Sequence, residues 1–323
     1  MKVQRKLTII IVMVLLTVVA LGTSTYAWFT LNNIAKVDQI EMGITSGVGI
    51  DLSLDENADW TQKVWKSKLE NSDFNKYIKD VSFDAVTSTD GKEFSLIEAN
   101  NKVTKADNKF IELKVYFRAS NVVNFADTKQ AGIYLVENNK GASYSDDHSS
   151  LGSGTAIVSK GIDWKADVTF KYSDTETLNP GDTKQCYAKD AVRLSFTYTN
   201  GTETSKIFDL STDSTVGATT NYRGYNYQYG AADYYAVKKG LKIAPVVEEQ
   251  IVIFNDQLSS INEKAEASTN ESLVSVLTKD GNYYYGATTL RIWIEGWDGD
   301  CFDSILSDTI QAQLKFQFGI YNK

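Results

Sequence analysis

Apolar and polar residues alternate with a period of two along much of this chain, the signature of strands with one buried and one wet face. Ile111, Leu113, Val115 and Phe117 alternate with Glu112, Lys114 and Tyr116. The same rhythm predicts strands over 132–136, over 166–172 on Ala166, Val168, Phe170 and Tyr172, over 192–198 on Val192, Leu194, Phe196 and Tyr198, and over 250–254. Two longer strands close the chain. Leu290, Ile292 and Ile294 oppose Arg291, Trp293 and Glu295, and Ile310, Ala312, Leu314, Phe316, Phe318 and Ile320 alternate with Gln311, Gln313, Lys315 and Gln317. Asp90-Gly91, Asn179-Pro180-Gly181-Asp182, Asn200-Gly201 and Asp280-Gly281 supply the reversals between them. Helix is predicted only as short insertions. One lies over 60–69, where Trp60, Val64, Trp65 and Leu69 share a face, and one within 256–277, interrupted at Ser268-Thr269-Asn270.

Strands without regular intervening helices predict an all-β fold, an antiparallel jelly-roll-like β-sandwich with loop and short helical insertions. No repeat of 20–50 residues marks a solenoid, and no Pro- or Gly-rich linker divides the chain.

The pattern changes phase near the N-terminus. Phe29, Leu31, Ala35 and Val37 place apolar side chains on odd positions, whereas Ile40, Met42, Ile44, Val48, Ile50, Leu52 and Leu54 place them on even ones. One flat strand cannot present both sets to one face, because a one-residue shift turns a side chain to the other side. Residues 28–38 therefore read as a unit separate from a first core strand at 48–54, with Gly43, Gly47 and Gly49 lending freedom between them. The domain reading is 1–27 as signal helix, 28–47 as N-terminal segment and 48–323 as the β domain.

Ahead of that segment, Lys2, Arg5 and Lys6 precede an apolar run from Leu7 to Gly22. Thr25 and Ala27 then supply the small residues of a signal peptidase site, with Trp28 as the first mature residue. An uncleaved anchor is the alternative, since the segment through Ala27 would reach across a hydrocarbon core of roughly 30 Å. Either way the expectation is a protein outside the cytoplasm, secreted or at the cell surface. No acidic residue occurs before Asp38, which argues against a type IV pilin leader.

Charge narrows the partners. The 323-residue chain carries a formal net charge of −8, and cleavage after Ala27 would remove three cations and no anion. An acidic surface without a basic stripe repels phosphate backbones, so nucleic acid is not an expected partner. Two cysteines, Cys186 and Cys301, are too few for a disulfide scaffold, and they read either as one bridge or as thiols. The single histidine, His148, sits in the polar stretch 144–150, weak ground for catalysis. No Gly-x-Ser-x-Gly, His-Glu-x-x-His, P-loop or dinucleotide fingerprint is present, so the chain reads as a non-enzyme without a cofactor.

Two clusters remain. Glu295, Asp298, Asp300 and Asp303 offer hard oxygen ligands of the kind that hold Ca²⁺, but the spacing is not that of an EF-hand, and a solvated acidic turn is the preferred reading. Tyr222, Tyr225, Tyr227, Tyr229, Tyr234 and Tyr235 form a dense aromatic group, and Tyr283, Tyr284 and Tyr285 a second run. Tyrosine provides large rigid contact area, so these groups are candidate contacts for a second subunit or a carbohydrate, set against the plain preference of aromatics for strands.

The run Thr25-Tyr26-Ala27-Trp28-Phe29, followed by residues 40–44 and by Gly49-Ile50-Asp51-Leu52-Ser53-Leu54, resembles the TasA/camelysin group of exported Firmicutes proteins over about residues 1–54. The stretch 292–301 is similar to a pattern near the end of other exported Firmicutes proteins with this signal type. The resemblance implies a jelly roll, processing by a dedicated signal peptidase of the W type, and polymerisation into extracellular matrix fibres by insertion of the freed N-terminal strand into a neighbour. On that basis Phe29, Leu31, Ala35 and Val37 are the expected donor-strand residues, and the expected partners are further copies of the chain, with another matrix protein or a cell-wall polymer beside them. The alternative is a monomeric or membrane-anchored surface-binding module whose tyrosine-rich loops contact glycan or host protein.

Overall fold

A computed structural model describes residues 36–44, 49–79, 81, 84–97, 103–120, 125–137, 141–210, 229–238, 240–241, 270–302, 305 and 307–322. The first part of the chain forms β1 (Lys36–Ile44), β2 (Ile50–Ser53), helix α1 (Asn71–Ile78), β3 (Ala85–Val86), β4 (Ser95–Ile97), β5 (Val103–Lys105), β6 (Ile111–Ser120) and β7 (Lys129–Leu135). The middle forms β8 (Ala156–Ser159), β9 (Ile162–Lys165), β10 (Phe170–Lys171), β11 (Thr177–Leu178) and β12 (Thr183–Cys186). There follow β13 (Val192–Asn200), β14 (Thr202–Asp209), helix α2 (Ala231–Lys238), β15 (Leu273–Asp280), β16 (Tyr283–Glu295) and β17 (Thr309–Asn322).

The fold is mostly β, as the alternation predicts. Among the described residues eleven strands form one mixed sheet whose main path runs β1-β17-β7-β15-β16-β13-β14. Most neighbours are antiparallel, but β1 runs parallel to β17 and β3 parallel to β16. The expectation of a purely antiparallel sheet is corrected at those two places. Both parallel pairings join strands far apart in sequence, which no local turn signal announces.

Strand β15 belongs to both halves of the sheet. Its first residues pair with β7, and Thr278–Asp280 pair with Tyr283–Tyr285 of β16 across the Gly281 hairpin, where φ is +57°. The apolar faces of the two halves meet: Phe316 of β17 lies 5.1 Å from Phe117 of β6 and 6.2 Å from Phe196 of β13, between ring centroids. Gly286 is where β15 presses closest on β16. A Cβ there would lie 2.5 Å from the carbonyl oxygen of Val276 and 2.6 Å from Ser275 Oγ, so only glycine fits.

The phase change near the N-terminus has a structural form. Val37 pairs with Ile310 and Gln39 with Gln311, so Asp38 is the extra residue of a bulge inside β1. Ile40 and Met42, after the bulge, are fully buried. Among the described residues the main sheet therefore starts at Lys36, upstream of the expected first core strand at 48–54, and takes in part of the segment 28–47.

The expected helix over 60–69 is a correction. Only a 3-10 turn forms, Trp60–Gln62, and Val64, assigned to the buried face, is 63% exposed. Side chains compete with the helix for the backbone here. Asp55, Asn57 and Asp59 each accept from an N–H two residues on, at 2.9–3.0 Å. Residues 66–69 instead fasten two strand edges: Lys66 exchanges backbone hydrogen bonds with Leu52 of β2, and Leu69 with Met42 of β1. The expected helix within 256–277 gives way to β15 from Leu273, and its earlier part, like the strand expected at 250–254, lies outside the described residues. Of the strand expected over 166–172, only Phe170–Lys171 forms.

Candidate functional site

The proposed N-terminal donor residues meet the described structure only at Val37, which is partly buried against the core of its own chain. Phe29, Leu31 and Ala35, and the cleavage-site residues Thr25, Ala27 and Trp28, lie outside the described residues. The bulge that follows Val37 is held from three sides. The Asp38 carboxylate accepts from Gln311 Nε2 at 3.1 Å and lies 2.9 Å from His148 Nε2, while its carbonyl accepts from Asn71 Nδ2 at 3.0 Å. The hydrogen bond from His148, then that from Gln311, holds the Asp38 carboxyl below its ordinary pKa.

The acidic turn is not solvated. Glu295, Asp298 and Asp300 are all buried, and Asp303 lies outside the described residues. Arg193, itself only 1% exposed, is ion-paired to Asp298 and, at 2.9 Å, to Asp209. Glu295 accepts from the Trp293 indole at 3.0 Å and from the Trp297 backbone N–H at 3.1 Å, and burial raises its pKa. The preferred sequence reading is therefore corrected: these carboxylates are buried, with Asp298 paired to a buried arginine and Glu295 held by the Trp293 indole and the Trp297 backbone. Among the described residues no group of three or more His, Cys, Asp or Glu side chains is placed to hold a metal ion.

The first tyrosine group divides. Tyr222, Tyr225 and Tyr227 lie outside the described residues, and Tyr229 is half-buried. Tyr234, on α2, packs in an aromatic cluster with Trp164 at 5.1 Å and Phe170 at 5.2 Å, and its hydroxyl donates to Asp167 at 3.1 Å. Tyr235 packs against the same core, and burial raises its pKa. Cys186 and Cys301 are buried in the main core and carry no disulfide.

The second tyrosine run has another fate, because β16 alternates. Tyr284 points inward, 6.4 Å from Phe318, whereas Tyr283 and Tyr285 point to the opposite face. There they join Trp60, Trp65 and Tyr116. Tyr285 lies 5.2 Å from Trp60 and 6.1 Å from Trp65, and Trp60 meets the Tyr116 ring edge-on at 5.5 Å. The Arg118 guanidinium covers Trp65 at 4.9 Å and Tyr283 at 4.8 Å and is fixed by Asp51 at 2.5 Å.

This aromatic bank borders an open trough of about 1000 Å³ on the sheet face turned away from Phe117 and Phe196. Lys114 of β6, Thr289 of β16 and Thr197 of β13 form one cross-strand row in its floor, and Ala287 keeps the next row low. Asp90, Lys92 and Glu93 form the far bank. The period-two pattern marks Tyr283 and Tyr285 as sharing a face, but nothing in the sequence brings Trp60 or Trp65 beside them.

No family model, curated protein or solved structure matches the chain.

Proposed function

We propose that this chain is an exported structural subunit of a cell-surface or extracellular-matrix fibre, released by a dedicated signal peptidase after Ala27 and joined to its neighbour by the segment upstream of Lys36. The observation that carries this reading is the pairing of β1 with its own subunit on both sides of the bulge at Asp38. After it, β1 is committed to its own subunit, with Ile40 and Met42 buried, β17 on one edge and Leu69 on the other. Before it, Lys36 and Val37 still pair with Thr309 and Ile310, and the bulge joins their odd parity to the even parity that follows, so the segment to donate is the one that precedes Lys36 in sequence, with Phe29, Leu31 and Ala35 as its apolar residues. A strand given to a neighbouring sheet gains a full ladder of backbone hydrogen bonds and pockets for alternate side chains, the physics of β-augmentation. The two facing halves of the sheet fit a jelly-roll-like sandwich as the receiving unit.

The test is electron microscopy of mature protein against a variant lacking residues 28–35. The deletion ends where β1 begins, so the expected result is a monomer with unchanged thermal unfolding and no filaments. Filaments of normal appearance from the deletion variant would eliminate strand donation.

A further inference from the structure

The trough on the outer face of β16 has no part in strand donation. We propose that it is a binding site for a neutral polysaccharide, with Trp60 and Tyr285 as stacking surfaces and Thr278 and Thr289 supplying hydroxyls along the floor. A pyranose ring has an apolar face of C–H groups edged by hydroxyls. It matches a site that offers partly exposed aromatic faces next to short polar side chains.

Three features point to an uncharged sugar polymer over other occupants. The trough is lined by four cationic and four anionic side chains, so no net charge requires an answering one. Two of the cations are already engaged: Lys92 with Glu203 at 2.8 Å, and Arg291 with Glu112 at 2.6 Å. An anionic polymer would also meet a molecule of net charge −8.

A peptide strand is poorly served, because among the described residues β16, at the centre of the floor, has no free backbone edge. β16 is paired with β6 from Tyr283 to Ile292 on one side, and with β15 and then β13 on the other. Where β15 parts from β13, Thr288 Oγ1 donates to the Thr197 carbonyl at 3.1 Å and Ser275 Oγ to the Ala287 carbonyl at 3.2 Å. Edge addition to β16 is therefore closed, and a ligand lying over it must be held by side chains.

The aromatic bank is also built before any ligand arrives. The Trp60 and Trp65 planes lie within 11° of each other with centroids 6.3 Å apart, the Trp65 indole donates to the Trp60 carbonyl at 3.1 Å, and Arg118 locks Trp65 and Tyr283 from above. Rigid rings lose little entropy on binding.

The experiment is titration of the mature protein with cellohexaose, laminarihexaose and maltohexaose, followed by tryptophan fluorescence and calorimetry, with polygalacturonate as the anionic comparator. At least one neutral hexasaccharide should bind, and Tyr285→Ala and Trp60→Ala should each weaken it about tenfold. Ala287→Arg keeps every ring in place and blocks the floor, so it should abolish binding while unfolding at the wild-type temperature. Absence of binding by all three neutral sugars, binding of polygalacturonate alone, or undiminished binding by Ala287→Arg would each overturn the proposal. Electron microscopy of the same sample reads filaments independently, so this site and the fibre reading fail separately.

Discussion

At the scale of the residue, three side-chain decisions hold this fold, and each can be tested singly. Gly286→Ala would drive a methyl group into the Val276 carbonyl, backbone that cannot swing aside, where the two halves of the sheet share β15. Overpacking of this kind costs about 1–3 kcal/mol or more, so a clear fall in denaturation midpoint is expected. Arg193→Met would withdraw the guanidinium shared by Asp209 and Asp298, and breaking a buried ion pair costs about 3–5 kcal/mol. Chemical denaturation should show this variant among the least stable of any single change. Asp38 acts through pH. Its folded-state pKa is below the ordinary 3.8, so its contribution is present above that value and lost as pH falls through the lower folded value. Asp38→Asn should therefore lower the melting temperature at neutral pH and converge on the wild type in acid, which flattens the acid limb of the profile. Of these residues, sequence alone singles out only the acidic ones near 295–303, and reads them as solvated. Arg193, which gives them their meaning, is remote in sequence, and an alternation rule that places it on the face opposite Leu194 cannot say that the face is covered.

At the scale of the element, the period-two pattern finds β6, β7, β13, β16 and β17, since each places one apolar face on the shared core. It fails where partners are not local. The apolar spacing of Trp60, Val64, Trp65 and Leu69 is helical, yet Asx turns from Asp55 to Thr61 and the backbone bonds of Lys66 and Leu69 to two strands take the segment elsewhere. The parity change at Gln39 was legible as a break; that the break is a one-residue bulge in a continuous strand was not, because only the register against β17 reveals it. The pairing of β1 with β17 from Lys36 onward sharpens the assembly prediction. Leu31→Lys lies ahead of the strand that the subunit keeps, so it should leave monomer unfolding unchanged and weaken filament formation by putting a charge in a neighbour's apolar groove. Sedimentation of filaments over a concentration series measures this, and an unchanged critical concentration would place Leu31 outside the joint.

At the scale of the whole molecule, net charge and local charge make opposite demands, and that separation is measurable. The chain carries −8 as a whole, and processing after Ala27 would make it more acidic by removing Lys2, Arg5 and Lys6. Like-charged subunits repel at contact, and the repulsion is screened beyond a Debye length of about 30 Å at 0.01 M salt but only about 10 Å at 0.1 M. Filament growth by strand donation should therefore accelerate as sodium chloride is raised across that range. The trough has no such excess, because its cations and anions balance and two of its cations sit in ion pairs. Affinity for a neutral hexasaccharide should accordingly stay level over the same salt series. Light scattering for growth and calorimetry for the sugar read the two processes in one set of buffers. Salt-independent growth would remove charge repulsion as the brake on assembly. A sugar affinity that collapsed with salt would mean that the trough is read by charge, contrary to the neutral ligand inferred from its lining.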